Sequence, residues 1–475
     1  MMETVDRVLS AIDAFVWGVP LMVLILGCGI WLTWKVKLLQ VTKLGTALKY
    51  MVKNEEGGTG EVTSFGALCT ALSATIGTGN IVGVATAIAA GGPGALFWMI
   101  VAAFFGMATK YSEGLLAIKY RKVKEDGTIL GGPFMYIEQG MGPKWKPLAI
   151  FFAISGCLVG LLGIGTMTQI NGITSATQSF FDPTYSGTLF YIGTTAITLT
   201  TVITGTIVTI CAALVIIGGI KRISKVAQIV VPFMAIAYFI LGILIIVLNL
   251  SSIPSAVATI VSSAFNPQAV LGGGLGISMV MAMRNGVARG IFSNEAGIGS
   301  APIAAAAAQT KDPVRQGLIS MTGTFIDTII ICSITGLAIV MTGAWNPDLG
   351  LAGVGITMYA FANALPFHES FTSFVLMVCL MFFAFTTILG WDYYSEKCVE
   401  YLFGGSRLAV MIFRVLYISF VAIGPYMTIS AVWTIADIVN ALMAIPNVIA
   451  LLALSNVVAK ETKRSFAKPE NTLLR

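Results

Sequence analysis

Charged residues are scarce in this sequence: Asp, Glu, Lys and Arg make up 11% of its 475 residues, whereas 56% are apolar. A soluble domain of this length needs more charge to cover its surface, so a soluble protein is excluded. The sequence has one histidine, and its seven cysteines stand singly without a CxxC pair, which argues against a zinc or thiol-redox site. No nucleophile–base set is recognisable either. We therefore expect no cofactor and no enzymatic activity.

Long apolar runs recur from one end of the chain to the other, and the mean hydropathy is +0.88. A run of about 18 residues crosses a hydrocarbon core roughly 30 Å thick as a helix, which satisfies its own backbone hydrogen bonds. The sequence therefore predicts an all-α polytopic membrane protein. Eleven transmembrane helices are expected at about residues 15–34, 62–90, 93–118, 147–178, 187–219, 226–249, 270–309, 317–343, 369–402, 408–424 and 430–457.

Lysine and arginine residues occur in every second loop between the predicted crossings. They follow the odd-numbered crossings, and at the inner end of the seventh these residues are Arg284, Arg289, Lys311 and Arg315. The opposite loops contain none, at residues 91–93, 179–186, 250–269, 344–368 and 425–429. By the positive-inside rule, the N-terminus lies outside the cell membrane and the C-terminus in the cytoplasm. The net charge of +6 thus reflects topology in a lipid bilayer, and no nucleic-acid partner is expected.

Two predicted crossings contain polar, glycine-rich stretches. These are residues 73–80, SATIGTGN, in the second crossing and residues 272–278, GGGLGIS, in the seventh. Glycine weakens helices and permits close backbone approach. The two crossings lie five apart and so run in opposite directions, and paired interrupted helices in inverted halves indicate a transporter binding site. Close packing of helices would also account for the glycines. The glycines alone do not distinguish a broken helix from close packing.

An interruption in the second crossing would expose two kinds of backbone group. The amides of Thr78, Gly79 and Asn80 would form a positively polarised cradle for a carboxylate. The free carbonyl groups from Ser73 to Ile76 would suit an ammonium group or Na⁺. A zwitterionic amino acid needs both kinds of group a few ångströms apart.

Polar side chains at membrane depth occur on two further crossings. Thr386 and Thr387 stand among apolar residues of the ninth crossing and could complete an oxygen shell for a hard cation. Taken alone, threonines more often bond to their own helix. Gln169 and Asn171 on the fourth crossing either join helices or hold a ligand.

Ionisable residues inside a crossing are functional candidates. Asp327 and Asp437 could act as ion ligands, proton acceptors or partners of a basic residue. Arg284, Arg289 and Glu295 could pair to form a cytoplasmic gate, or could fix only topology and loop structure.

Two long motifs carry a family resemblance that spans nearly the whole chain. Residues 91–99, GGPGALFWM, and residues 284–302, RNGVARGIFSNEAGIGSAP, resemble the signature of the alanine/glycine–cation symporter family. The resemblance implies a LeuT-type fold, in which ten core helices form two inverted five-helix repeats, here with one extra N-terminal helix. The implied units are an N-terminal helix and basic loop at 1–61, repeats at 62–249 and 250–457, and a cytoplasmic tail at 458–475. We expect the monomer to be functional.

The resemblance also implies a substrate site and a sodium site. The Thr78 and Gly79 amides would hold the substrate carboxylate, and the Thr75 carbonyl would hold its amine. The full substrate set is Thr75, Thr78, Gly79, Asn80, Gln169, Asn171, Gly276, Ile277, Ser278, Met279 and, as a cap, Trp391. Na⁺ would bind the carbonyl groups of Ser73 and Ile76 and the hydroxyls of Thr386 and Thr387.

The implied function is sodium-coupled uptake of alanine or glycine by alternating access. A proton-coupled permease of the same architecture is the alternative, and it would use an acid such as Asp327 in place of the threonine pair. An ion channel would need a continuous polar lining or a charged ring, and neither is recognisable in the sequence.

Overall fold

The computed structural model describes residue 12 and residues 17–467, apart from 54, 56, 57, 126, 193, 194, 266–278 and 428. The main helices are α1 (Val19–Lys35), α2 (Ser64–Thr75), α3 (Gly79–Gly91), α4 (Gly94–Lys119), α5 (Lys146–Leu162), α6 (Met167–Phe181), α7 (Leu199–Ile216), α8 (Gly219–Leu248), α9 (Ile253–Phe265), α10 (Met279–Asn294), α11 (Ala301–Ala306), α12 (Pro313–Met341), α13 (Val354–Ala364), α14 (Glu369–Leu402), α15 (Arg407–Ile423), α16 (Ile429–Ala453) and α17 (Ser455–Phe466). Shorter helical segments are Leu39–Thr42, Leu44–Val52, Pro133–Met135, Tyr136–Gly140, Pro143–Trp145, Leu250–Ser252, Pro347–Leu349 and Gly424–Tyr426.

Two small antiparallel hairpins accompany the helices. Strands β1 (Lys122–Val123) and β2 (Ile129–Leu130) form the first, with Lys122 opposite Leu130. Strands β3 (Thr188–Ile192) and β4 (Thr195–Thr198) form the second.

The second hairpin corrects the predicted fifth crossing at 187–219. Residues 188–192 and 195–198 are strands, and the helix begins only at Leu199, where the Thr198 hydroxyl accepts a hydrogen bond from the Thr201 amide at 3.2 Å. The segment is rich in threonine, isoleucine and aromatic residues, which fit a strand as well as an apolar helix. An apolar run alone does not separate these two structures.

Among the described residues, eight helices are long and apolar enough to cross a membrane, or nine when the bent pair α2–α3 counts as one crossing. Two further apolar helices are shorter, Pro20–Lys35 and Leu250–Phe265. The protein is therefore a multi-pass membrane protein. The number of eleven crossings stays a prediction.

The crossings divide into central and peripheral helices. In α4 and in α16, 67% of the most apolar 18-residue stretch is buried inside the protein. In α7, in α8 and in the span that contains α15, only 28% of this stretch is buried. Apolar side chains on the exposed faces of these three helices can face only lipid in a membrane protein. The site described below lies among the central helices.

The helix pairs α2–α3 and α10–α11 run antiparallel to each other. Val62, just before α2, forms a bridge with Ala308, just after α11. At the opposite end, Gly91 of α3 packs so closely on α10 that a Cβ there would lie 3.2 Å from the Cα of Ala282. Two interrupted helices therefore lie side by side in opposite directions.

This arrangement corrects the predicted position of two arginines. Arg284 and Arg289 lie on α10, between the Gly91 end and the interruption after Asn294. They therefore precede the interruption and lie toward the charge-poor loop 91–93, so the prediction that they mark the inner end of the crossing is wrong. Arg289 is neutralised there, since it forms an ion pair with Asp437.

Candidate functional site

The first break comprises residues 76–78 between α2 and α3, where Ile76 and Gly77 are not helical and the helix axis bends by 49°. Ile76 leaves the helical conformation with ψ at 95°. The Gly77 amide donates to Oδ1 of Asn80 at 2.9 Å, and the Asn80 amide donates back to the Gly77 carbonyl at 3.3 Å. The predicted interruption of the second crossing is therefore confirmed. Asn80 stabilises it locally by satisfying a backbone donor that the helix no longer uses.

Gln169 of α6 contacts the first break directly. The Thr78 amide donates to Oε1 of Gln169 at 3.1 Å, and Nε2 of Gln169 donates to the Ile164 carbonyl at 3.0 Å. The Thr78 hydroxyl is buried and has no hydrogen-bond partner among the described residues. The structure thus brings together two residues predicted to bind the substrate. It also shows that a carboxamide oxygen can accept a hydrogen bond from the Thr78 amide.

The candidate sodium residues lie where α14 packs against the end of α2. The Thr387 hydroxyl lies 3.3 Å from the Ile76 carbonyl and 3.0 Å from the carbonyl of Phe383 in its own helix. The Thr386 hydroxyl donates within its own helix, to the Phe382 and Phe383 carbonyl groups at 3.0 Å. Of the two threonines, Thr387 therefore makes the hydrogen bond to the break.

A glycine on α14 makes this contact possible. A Cβ at Gly390 would lie 2.8 Å from Oγ of Ser73 and 2.9 Å from the amide nitrogen of Ala74. The Ser73 hydroxyl itself donates to the Thr70 carbonyl at 2.7 Å. Gly390 was not among the predicted site residues, although its place three residues after Thr387 puts it on the same helix face.

The other predicted substrate residues are more scattered. Thr75 bonds to its own helix through its hydroxyl, at 3.2 Å to the Ala71 carbonyl. Asn171 lines a separate cavity of about 560 Å³ and donates to the Met427 carbonyl at 3.1 Å. Trp391 is fully buried one turn along α14 from Thr387. These positions neither confirm nor exclude contact with a substrate.

The predicted interruption in the seventh crossing falls on residues that include Gly276, Ile277 and Ser278, and these lie outside the described residues. Met279 begins α10 and is 40% exposed. It precedes Ser293 by 14 helical residues, which at 1.5 Å per residue is about 21 Å. The structure therefore does not bring Met279 to the first break.

A second break, residues 295–300 between α10 and α11, lies opposite the first one. Its backbone turns through positive φ angles at Glu295 (56°), Gly297 (91°) and Gly299 (89°). All six of its residues are buried. This break was not predicted, although the spacing of the two glycines in Glu-Ala-Gly-Ile-Gly was an available signal.

The two interrupted helices meet beside their breaks, where a Cβ at Gly79 would lie 3.0 Å from the Cα of Ser293. Asp327 of α12 joins them, since Nδ2 of Asn80 donates to its Oδ1 at 2.7 Å and the Ser293 hydroxyl donates to its Oδ2 at 2.9 Å. Thr328 donates a further hydrogen bond to Oδ2 at 2.7 Å. The candidate acid Asp327 thus bridges both interrupted helices at full burial.

Glu113 and Asn447 hold the second break from the other side. Oε1 of Glu113 accepts from the Gly297 amide at 3.1 Å and from Nδ2 of Asn447 at 2.7 Å. Asn447 also donates to the Gly297 carbonyl at 2.9 Å and accepts from the Tyr136 hydroxyl. Because both backbone groups of Gly297 have left the helix, these side chains supply the partners that a buried peptide needs.

Different contacts close the two ends of the paired helices. Within α10, on the Gly91 side of the breaks, Arg289 forms two hydrogen bonds to the Asp437 carboxylate, at 2.9 and 2.8 Å, with its guanidinium 4.7 Å from the Trp433 ring centre. Glu295 accepts from the Ser300 hydroxyl at 2.5 Å instead. A gate that pairs Glu295 with Arg289 is therefore not what the structure shows.

At the other end the segment before α2 pairs with the segment after α11. The Val62 amide donates to the Ala307 carbonyl at 3.2 Å, and the Gln309 amide donates to the Val62 carbonyl at 2.8 Å. Arg121 donates to the Ala306 and Ala308 carbonyl groups, at 2.6 Å each. Opening this end requires the loss of these hydrogen bonds.

Gly172 of α6 packs against Thr78 in the first break. Its Cβ in Gly172→Ala would lie 2.4 Å from Cγ2 of Thr78. We expect this variant to lower substrate uptake at least about tenfold, because a buried overlap must displace Thr78. Uptake per folded protein is the measurement, and Gly355→Ala, with no heavy atom within 4 Å of the added Cβ, is the control. Equal uptake by both variants would contradict the assignment of Thr78 to the site.

Comparison with known proteins decides the family. Residues 2–472 match the profile of the sodium:alanine symporter family. The chain belongs to this family. It is 45% identical over 462 residues to the sodium/alanine symporter AgcS of Methanococcus maripaludis, with 96% of each chain covered. It is 52% identical over 466 residues to an uncharacterized transporter of Haemophilus influenzae, with 98% of this chain and 97% of the relative covered.

The fold of this family member is similar to that of MhsT, solved in complex with L-phenylalanine. The TM-score is 0.56 at 13% identity, over 86% of this chain and 99% of MhsT. At this identity the likeness concerns the fold alone. Family and fold are those of membrane transporters and not of enzymes.

Proposed function

We propose that this protein imports small neutral amino acids, alanine or glycine, together with Na⁺ across the cell membrane. The observation that carries the proposal is the hydrogen bond from Thr387 to the Ile76 carbonyl beside the Thr78 amide. The proposed ion ligand Ile76 and the proposed carboxylate-binding amide of Thr78 then lie two residues apart in one break. The sodium/alanine symporter AgcS, which is 45% identical, supports the choice of ion and substrate.

In this proposal the sodium ion binds the Ser73 and Ile76 carbonyl groups together with Thr387, and Thr386 lies beside them. The substrate carboxylate displaces Oε1 of Gln169 from the Thr78 amide, and the released carboxamide is free to bond the substrate. Ion and substrate share one break, so each raises the affinity for the other by the same factor. The rest of the proposed substrate set is Thr75, Gly79, Asn80, Asn171, Gly276, Ile277, Ser278 and Trp391.

Alternating access follows from the two breaks and their closures. Each interrupted helix has two halves joined by a non-helical segment, so one half can move while the other stays packed. The Arg289–Asp437 pair would open toward the outside, and the pairing of Val62 with Ala307 would open toward the cytoplasm. The antiparallel helix pairs support inverted repeats at 62–249 and 250–457. Eleven crossings, an outside N-terminus and a functional monomer remain part of the proposal.

A proton-coupled permease is the second candidate, and the burial of Asp327 between the two breaks favours it. A carboxyl group at this position could take up a proton in place of Na⁺. The candidates differ in the ion that drives uptake.

Uptake of labelled alanine into proteoliposomes distinguishes the sodium-coupled from the proton-coupled candidate. We expect uptake to fall at least about tenfold when Na⁺ is replaced by K⁺, and to be unaffected by a pH gradient alone. Asp327→Asn should keep sodium dependence, because the amide preserves the side-chain shape and one acceptor oxygen. Uptake that needs no Na⁺, follows the pH gradient and is lost in Asp327→Asn would establish the proton-coupled alternative instead.

A further inference from the structure

A basic groove lies between the end of α1 and the C-terminal helix α17, away from the proposed transport site. It has a volume of about 650 Å³, and its lining includes Lys35, Lys37, Lys43, Lys463 and, as part of an apolar floor, the ring of Phe466. None of its lining residues is acidic. Four lysines with no carboxylate in the lining are suited to an anion that carries more than one oxygen.

The backbone around the groove is unusual. Lys37 and Leu38 both have positive φ angles, 57° and 54°, which residues other than glycine adopt rarely. Two such residues in succession reverse the chain immediately after α1 and lead it into the short helix Leu39–Thr42. This costly turn places Lys37 and Lys43 on the same groove as Lys35, and strain of this kind concentrates at ligand-binding positions.

Neighbouring groups hold two of the lysines in place. Nζ of Lys35 donates to Oδ1 of Asn456 at 2.9 Å and lies 4.8 Å from the Trp31 ring centre. Nζ of Lys43 lies 4.9 Å from the ring centre of Phe466. Ring faces and an amide oxygen orient these ammonium groups without neutralising their charge.

The outer flank of the groove is apolar and exposed. Trp34 is 66% exposed, Leu38 50% and Val41 60%. Tryptophan prefers the headgroup level of a membrane, and α1 is an apolar helix that ends at this position. The groove therefore opens beside the lipid-facing surface, at the boundary between hydrocarbon and water.

We propose that this groove binds the phosphate headgroup of an anionic membrane phospholipid. The phosphate contacts the lysines, and the acyl chains lie along Trp34, Leu38 and the exposed face of α1. Basic grooves between helices at the membrane surface have the charge that such headgroups require. Charge complementarity provides the affinity for the phosphate, and the apolar flank distinguishes a lipid from a free phosphate ion.

Lysines that only set topology offer a matched control. Lys122, Lys144 and Lys225 are exposed, lie at the same end of the molecule and do not line the groove. If the groove is a built site, replacing its own lysines must weaken lipid binding, while replacing these three must not.

The experiment measures binding of short-chain phosphatidylglycerol and phosphatidylcholine to the purified full-length protein in neutral detergent. Phosphatidylglycerol should bind at least about tenfold more tightly than phosphatidylcholine. The triple variant Lys37→Gln/Lys43→Gln/Lys463→Gln should lose most of this preference, and Lys122→Gln/Lys144→Gln/Lys225→Gln should keep it. Should the triple groove variant not fold, Lys37→Gln alone, at an exposed side chain, should still weaken binding severalfold.

Three results would overturn the proposal. One is an equal loss of binding in the groove and control variants, which would mean a non-specific charge effect. Another is unchanged binding in the groove variants. The third is competition by inorganic phosphate at the concentration of the lipid, which would make the site one for a soluble anion. None of these results bears on sodium-coupled uptake, so this inference and the proposed function stand or fall separately.

Discussion

Thr387→Val should raise the Na⁺ concentration needed for alanine uptake while the protein remains folded. Valine keeps the branched shape of threonine and removes only the hydroxyl, which lies 3.3 Å from the Ile76 carbonyl. A bond from a polar group to a charged one is worth about 1.5–3 kcal/mol, so we expect sodium affinity to fall roughly 10- to 100-fold. The measurement is the Na⁺ concentration that half-saturates uptake of labelled alanine in proteoliposomes.

The adjacent residue supplies the control. Thr386→Val removes a hydroxyl that donates to Phe382 and Phe383 of its own helix, so its effect on sodium affinity should be several times smaller. If both variants lose affinity equally, both hydroxyls are ion ligands. If neither loses it, the proposed ion site is wrong.

Glu113→Ala should destabilise the protein strongly and lower transport with it. The change leaves the Gly297 amide and Nδ2 of Asn447 without their shared acceptor in a fully buried site. Each buried donor left without a partner costs about 1–3 kcal/mol, so a loss of roughly 2–5 kcal/mol is expected. Thermal unfolding in detergent, monitored beside alanine uptake, is the measurement.

A double-mutant cycle tests whether the two side chains act together. Asn447→Ala alone should also destabilise the protein, because Asn447 bonds both Glu113 and the Gly297 carbonyl. The double variant should be less destabilised than the sum of the two, by about 1 kcal/mol or more. Strict additivity would mean that Glu113 and Asn447 stabilise different parts of the structure.

The first break shows how far local sequence reaches. Residues 76–79 contain two glycines and two helix-weakening β-branched residues, and the predicted interruption was found there. The sequence could not show that Oε1 of Gln169 accepts a hydrogen bond from the Thr78 amide. That contact depends on how α6 lies against α2, over a separation of 91 residues.

The second break shows the opposite case. A run of glycines at 272–278 was a stronger compositional signal than the two glycines near Glu295, and the prediction followed the stronger signal. Yet the interruption that faces Gly79 is the one at 295–300. Its buried backbone groups are satisfied by Glu113 and Asn447, which are distant in sequence, and no local pattern contains that information.

The sequence alone determined that this is a helical, multi-pass membrane protein. Its composition, apolar runs and charge distribution suffice for this conclusion, because the cost of burying charge and unbonded peptide groups in lipid acts on every residue separately. The tertiary structure decided which of two adjacent threonines contacts the break, that Asp327 joins two interrupted helices, and that Arg289 pairs with Asp437. These contacts depend on the packing of helices far apart in the chain, where shifts of an ångström or two separate a hydrogen bond from none.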